Sequence, residues 1–121
     1  MPKRDNFSTL THIEAAVQRI QRWTQGISHE QFCEDDLRQA AVMRQLEIIG
    51  EATGRLTAEF LRAHPDVLPW QVMKNMRNVL IHGYDEVDIE ITWTTVTEDI
   101  PRIHSPLRVL LAQVTDAPNG G

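Results

Sequence analysis

The sequence predicts an all-α fold, an antiparallel bundle of four helices, and three observations point there. Apolar residues recur at steps of three and four in long windows, the period of a helix face. No segment alternates apolar and polar residues over the length of a strand. The breaks between periodic windows are short, which suits antiparallel neighbours in a bundle.

The first helix is expected from Asn6 to Gly26, with Leu10, Ile13, Val17, Ile20 and Trp23 on one stripe and Gly26 as its stop. A short link containing Phe32 leads to Asp35-Asp36, a capping pair that puts negative charge at a helix start. The second helix follows, with Val42, Leu46, Ile49, Thr53, Leu56 and Phe60 in its stripe. It should end near Ala63-His64, because Pro65 disfavours helical geometry in the residue before it. Gly50 and Gly54, four apart on this helix, each cost ~1 kcal/mol relative to alanine if exposed, so they suggest a close helix contact, with core packing favoured over a dimer seam.

After a loop from Pro65 to Pro69, the third helix begins at Trp70, turns Met73, Met76 and Leu80 inward and ends near Gly83. Asp88 then caps a fourth helix that uses Ile91, Val96 and Ile100. Pro101 is expected to kink or interrupt that helix, and Pro106 to make its end irregular, because proline lacks the donor the ladder needs. The expected organisation is one domain over residues 1–115 with a frayed tail over 116–121, where Ala117-Pro118-Asn119-Gly120-Gly121 offers no apolar face.

Apolar residues form 41% and charged residues 24% of the 121-residue chain, enough for one modest core. No stretch approaches the ~20 apolar residues of a membrane span, and the start lacks an apolar signal core, so a cytoplasmic location is expected. The net charge of −5 excludes gripping nucleic acid by bulk positive charge; any RNA contact must be local. Cys33 reads as a structural thiol without cysteine or histidine neighbours at zinc-ligand spacing. His12, His29, His64 and His104 read as scattered surface residues without metal-binding partners, so neither a metal site nor a cofactor is expected. Glu47 and Glu51 read as a solvated or salt-bridged face, and Trp70 and Trp93 as core.

One segment concentrates chemistry. Arg77, Asn78, His82 and Tyr84 fall within eight residues. On an ideal α-helix Asn78 and His82 share a face, whereas Arg77 and His82 stand ~140° apart. Either the helix ends before Gly83 and frees His82, or a two-fold partner completes a composite site between chains; the composite site is the favoured arrangement. Metal-free RNA cleavage matches these residue types. An imidazole moves a proton near neutral pH, a guanidinium fork holds phosphate oxygens, and a carboxamide orients either of them.

The string Arg77-Asn78-Val79-Leu80-Ile81-His82-Gly83-Tyr84 resembles the Arg-x4-His-x-Tyr signature of HepT-like toxins in the HEPN superfamily. Arg44-Gln45-Leu46-Glu47-Ile48-Ile49-Gly50-Glu51-Ala52 resembles that family's second-helix segment, and the resemblance spans about Arg4 to Leu107. It implies a four- or five-helix bundle, a homodimer with its site in the interface cleft, and a metal-independent endoribonuclease toxin acting on RNA, tRNA or mRNA being candidate substrates. It also implies Arg77 and His82 as catalytic residues with Asn78 beside them. The implied partner is a minimal nucleotidyltransferase antitoxin of the MntA type that adds AMP to Tyr84. The sequence departs from the family where Lys74-Asn75-Met76 stands in place of a frequent glycine, and where Asp85 puts negative charge beside Tyr84. Two alternatives remain open on the residues themselves: a non-catalytic helical module presenting Tyr84 to a partner nucleotidyltransferase, and a structural dimer knitted by the motif's polar residues.

Overall fold

The computed structural model describes residues 5–80 and 89–116, all in helices and short connections without a strand among them. Seven α-helices follow in order: α1 (Asn6–Thr24), α2 (His29–Cys33), α3 (Asp36–Thr53), α4 (Ala58–Ala63), α5 (Trp70–Asn75), α6 (Ile89–Thr94) and α7 (Ile100–Asp116). A 3-10 segment, Met76–Leu80, continues α5, and a π turn, Thr95–Asp99, joins α6 to α7 without a break. The all-α bundle expected from the pattern is the observed fold.

Helix α1 starts where Asp5 accepts a hydrogen bond from the Ser8 amide. It stops at Gly26, whose φ of +77° is the left-handed geometry that glycine adopts freely after a helix end. Leu10, Ile13, Val17 and Ile20 are completely buried and Trp23 packs at the core edge, as their spacing requires. Helix α3 lies antiparallel to α1, shown by two cross-links between them and a third just past the end of α3, whose partners run in opposite order. Asn6 bonds Thr57, Arg19 bonds Gln45, and Arg38 bonds the Trp23 carbonyl.

Two boundaries differ from the sequence reading. The link containing Phe32 is itself a short helix, α2, capped by a reciprocal pair: Ser28 Oγ accepts from the Gln31 amide and Gln31 Oε1 accepts from the Ser28 amide. Its Phe32 is fully buried. The expected second helix is two helices, because α3 ends at Gly54 and Thr57 starts α4 by accepting from the Phe60 amide. Asn6 braces that corner, its Oδ1 accepting from the Thr57 amide and its Nδ2 donating to Thr57 Oγ1. The stripe survives the break, since Leu56 remains buried and Phe60 packs on the core.

The last helix departs from expectation at one of its two prolines. The α-helix is interrupted just before Pro101 by the π turn, as expected there, whereas α7 runs through Pro106 to Asp116. A proline ring in a regular α-helix collides with the carbonyl four residues back, here that of Thr97, and leaves that carbonyl without its donor. Thr97 lies inside the π turn, whose wider coil gives the Pro101 ring room. Past Pro106 the helix is held by its buried row of Ile100, Ile103, Leu107 and Leu110, all 0% exposed. Each such side chain gains ~1.5–3 kcal/mol on burial, comparable with the ~3 kcal/mol of a helical proline. Ile91, expected inward, is exposed, and Thr92 is buried in its stead: Thr92 stands four residues before the buried Val96, the α-helical spacing, whereas Ile91 stands five before it. No helix among the described residues is long and apolar enough to cross a membrane.

Candidate functional site

The Arg77-Asn78 pair is set by the contact between α3 and the end of the third arm. Met73 and Met76 are buried and fix α5 and its 3-10 extension to the core. A 3-10 helix turns ~120° per residue, so with Met76 inward the next two positions point away from the core. Arg77 and Asn78 occupy them, and both are exposed. Among the described residues no ion pair holds the Arg77 guanidinium.

Gly50 makes this arrangement possible. A Cβ on Gly50 would lie 2.7 Å from the Arg77 nitrogen, 2.8 Å from the Arg77 Cβ and 3.1 Å from the Lys74 carbonyl oxygen. Real side chains do not approach backbone that closely, so only glycine admits this crossing. The close contact expected of the glycine pair is therefore within the chain, and it belongs to Gly50 alone. Gly54 is exposed at the end of α3, and a Cβ there would meet nothing closer than 3.4 Å.

The 3-10 geometry also removes the premise of an ideal α-helix from the azimuth between Arg77 and His82. His82 and Tyr84 lie outside the described residues, as does the proposed helix end at Gly83. Next to the Arg77 turn runs a groove of about 340 Å³ lined by Thr53, Leu56, Trp70, Gln71 and Lys74. Lys74 and Arg77, three residues apart and both exposed, give this side of an otherwise acidic protein a local positive charge.

The remaining polar residues divide as follows. Glu47 pairs with Arg44 on the surface of α3. Trp70 packs on Phe60 and donates its indole N–H to the His64 carbonyl at 2.9 Å, and Trp93 packs against Phe32 at 5.2 Å between ring centroids. Cys33 is not isolated, contrary to its sequence reading: His29 stands one helical turn before it, and Glu90 of α6 joins them. The His29/Cys33 spacing of four was visible in the sequence. Glu90 was not, because only the fold brings α6 to α2.

The described residues form an all-helical bundle that presents an arginine and an asparagine in succession on an exposed 3-10 turn, seated on a buried glycine. Residues 13–110 match the family described as Ribonuclease HepT-like, and the chain belongs to that family. A protein of Thermococcus cleftensis named as a probable ribonuclease HepT is 44% identical over 101 residues, covering 84% of this chain and 91% of that one. A protein of Methanocaldococcus jannaschii named as an inferred RNase is 34% identical over 110 residues, 91% of this chain and all of that one. Another, from Caldanaerobacter subterraneus subsp. tengcongensis, is 37% identical over 102 residues, 84% of this chain and 90% of that one. No solved structure matches the chain.

Proposed function

We propose that this protein is an endoribonuclease toxin that cleaves RNA by attack of the 2′-hydroxyl on the adjacent phosphodiester, without a metal ion. The observation that carries the reading is the exposed Arg77-Asn78 pair fixed on the Gly50-seated turn, in a family whose relatives are named as ribonucleases. In this reading His82 takes the 2′-hydroxyl proton as the oxygen bonds to phosphorus. The P–O5′ bond breaks, the 5′-oxygen leaves with a proton, and a 2′,3′-cyclic phosphate forms. Arg77 holds the phosphate oxygens through its planar fork as negative charge builds on them. Asn78 orients His82 or the phosphate.

The rest of the reading follows the family. The active form is a homodimer whose two-fold apposes two copies of the Arg77 turn and doubles the local positive charge. The antitoxin is an MntA-type minimal nucleotidyltransferase that adds AMP to Tyr84. A phosphate-bearing group two residues from His82 in sequence would oppose an RNA phosphate by like charge.

The test is cleavage of cellular RNA in EDTA by wild type and by Arg77→Ala and His82→Ala proteins, after intact mass has shown Tyr84 to be unmodified. Wild-type cleavage that is lost in both variants, and absent on a 2′-deoxy oligonucleotide of the same sequence, supports the reading. Inactivity of the unmodified wild type overturns it.

A further inference from the structure

A second set of chemistry-bearing side chains meets where α2 faces α6. His29 and Cys33 stand one turn apart on α2, and Glu90 reaches them from the start of α6. Glu90 Oε1 lies 2.7 Å from His29 Nε2, and Cys33 Sγ lies 3.6 Å from that same nitrogen. All three donor atoms fall within 4.8 Å of one another.

We propose that His29, Cys33 and Glu90 bind a divalent transition-metal ion, Zn²⁺ by preference, with solvent completing a tetrahedral shell. Thiolate, imidazole and carboxylate are the three donor types that Zn²⁺ takes from proteins. With Zn–S near 2.3 Å and Zn–N near 2.05 Å, tetrahedral angles put sulfur and nitrogen about 3.6 Å apart, the separation observed for Nε2; because Sγ also lies 3.9 Å from Nδ1, the His29 ring has to turn to aim its Nε2 lone pair at the shared ion. Nitrogen and carboxylate oxygen on one ion stand about 3.3 Å apart, so Glu90 has to withdraw by roughly half an ångström. Its side chain is 71% exposed and free to do so.

The surrounding residues hold the donors in place. The Ser28/Gln31 capping pair fixes the start of α2. Gln39 of α3 donates to the carbonyls of Phe32 and Cys33, at 2.8 and 3.0 Å, and fixes its end. The His29 ring packs edge-on against Trp93, 5.7 Å between centroids, and Trp93 leans on the buried Phe32. Binding breaks the Cys33 S–H bond and forms an S–metal bond, the proton passing to water. The ion then cross-links α2 to α6, elements 57 residues apart in sequence between Cys33 and Glu90. The site stands on its own geometry, and its test is independent of RNA cleavage.

The experiment titrates Co²⁺ into the full-length protein, stripped of metal and kept reduced by a phosphine. The expected result is a thiolate-to-cobalt charge-transfer band with one ion per chain, displaced by Zn²⁺. Tryptophan fluorescence is quenched in the same titration, and the quenching is lost in Trp93→Phe. Cys33→Ser abolishes the band. His29→Ala and Glu90→Gln each weaken binding by at least about tenfold, the lower end of what loss of an outer-shell partner alone produces. His64→Ala leaves binding unchanged, and circular dichroism verifies that each variant is folded. Absence of the band, or a band indifferent to both His29→Ala and Glu90→Gln, overturns the proposal.

Discussion

Gly50 and Arg77 touch through backbone: a Cβ on the glycine would sit 2.7 Å from the arginine's nitrogen. The contact joins the long helix α3 to the turn that carries the sequence's densest polar motif. It makes the placement of Arg77 a property of the core, because α3 itself is pinned by Val42, Leu46 and Ile49, all fully buried.

Gly50→Ala should therefore damage both stability and the site. Overpacking of this kind costs ~1–3 kcal/mol, and the atoms in the way are backbone and the Arg77 Cβ fixed to it, none of which can swing aside. The gain in helix propensity, ~1 kcal/mol, offsets only part. A net loss of about 1–2 kcal/mol in urea unfolding is expected, with RNA cleavage falling further than the folded fraction does. Gly54→Ala, whose Cβ meets nothing within 3.4 Å, should stay within ~0.5 kcal/mol of wild type and keep full activity. Equal effects of the two substitutions would show that the Gly50 contact does not position the turn.

Arg77 is exposed, so its replacement should leave the fold intact, within ~0.5 kcal/mol. Removing a donor from a developing negative charge costs ~10²–10³ in rate, and Arg77→Ala should lose cleavage by that order. Arg77→Lys should recover only a small part, because an ammonium keeps the charge and loses the two-pronged fork. Single-turnover cleavage with light scattering on the same samples separates this outcome from dimer loss, which the structural-dimer alternative expects.

The helices were legible where one chemical rule dominated. The stripe from Leu10 to Ile20, the cap at Asp35 and the stop at Gly26 follow from local pattern and are observed. The break at Gly54 was hidden because Leu56 and Phe60 keep the stripe in register across it. The passage through Pro106 was hidden because burial of Leu107 and Leu110, a tertiary effect, outweighs the proline rule. At the site, the order of Arg77 and Asn78 could be read, but their shared exposure depends on a 3-10 turn that periodicity does not distinguish from an α-helix. Glu90 beside His29 needed the fold itself.

Asp35 gives a pH signature. Its carboxyl is held below the usual carboxylate range, first by the Arg38 amide hydrogen bond, then by the bond to the Arg38 side chain. A lowered folded pKa contributes stability above the unfolded value, ~4, which is lost as pH falls through the folded one. Asparagine caps a helix about as well as aspartate but carries no charge, so Asp35→Asn isolates this part. Its melting temperature should be below wild type at pH 7, with the gap closing as pH falls below about 4. A gap that is constant across this range would assign the effect to capping alone.

Asp99 should behave in the opposite sense. It ends the π turn half-buried, and desolvation raises its pKa, opposed by Arg102 and reinforced by the neighbouring Glu98. A carboxyl with a raised folded pKa takes up protons on folding. It therefore imposes no penalty below the unfolded pKa of ~4, and a destabilisation that grows as pH rises through the folded value. Asp99→Asn removes the charge while keeping the shape, so it should melt higher than wild type at pH 7 and equal to it near pH 3. Thermal melts across that range read the difference directly. A variant that melts lower at pH 7 would mean that Arg102 outweighs the burial, making the ionised Asp99 a stabilising partner of α7 and reversing the sign of its pH dependence.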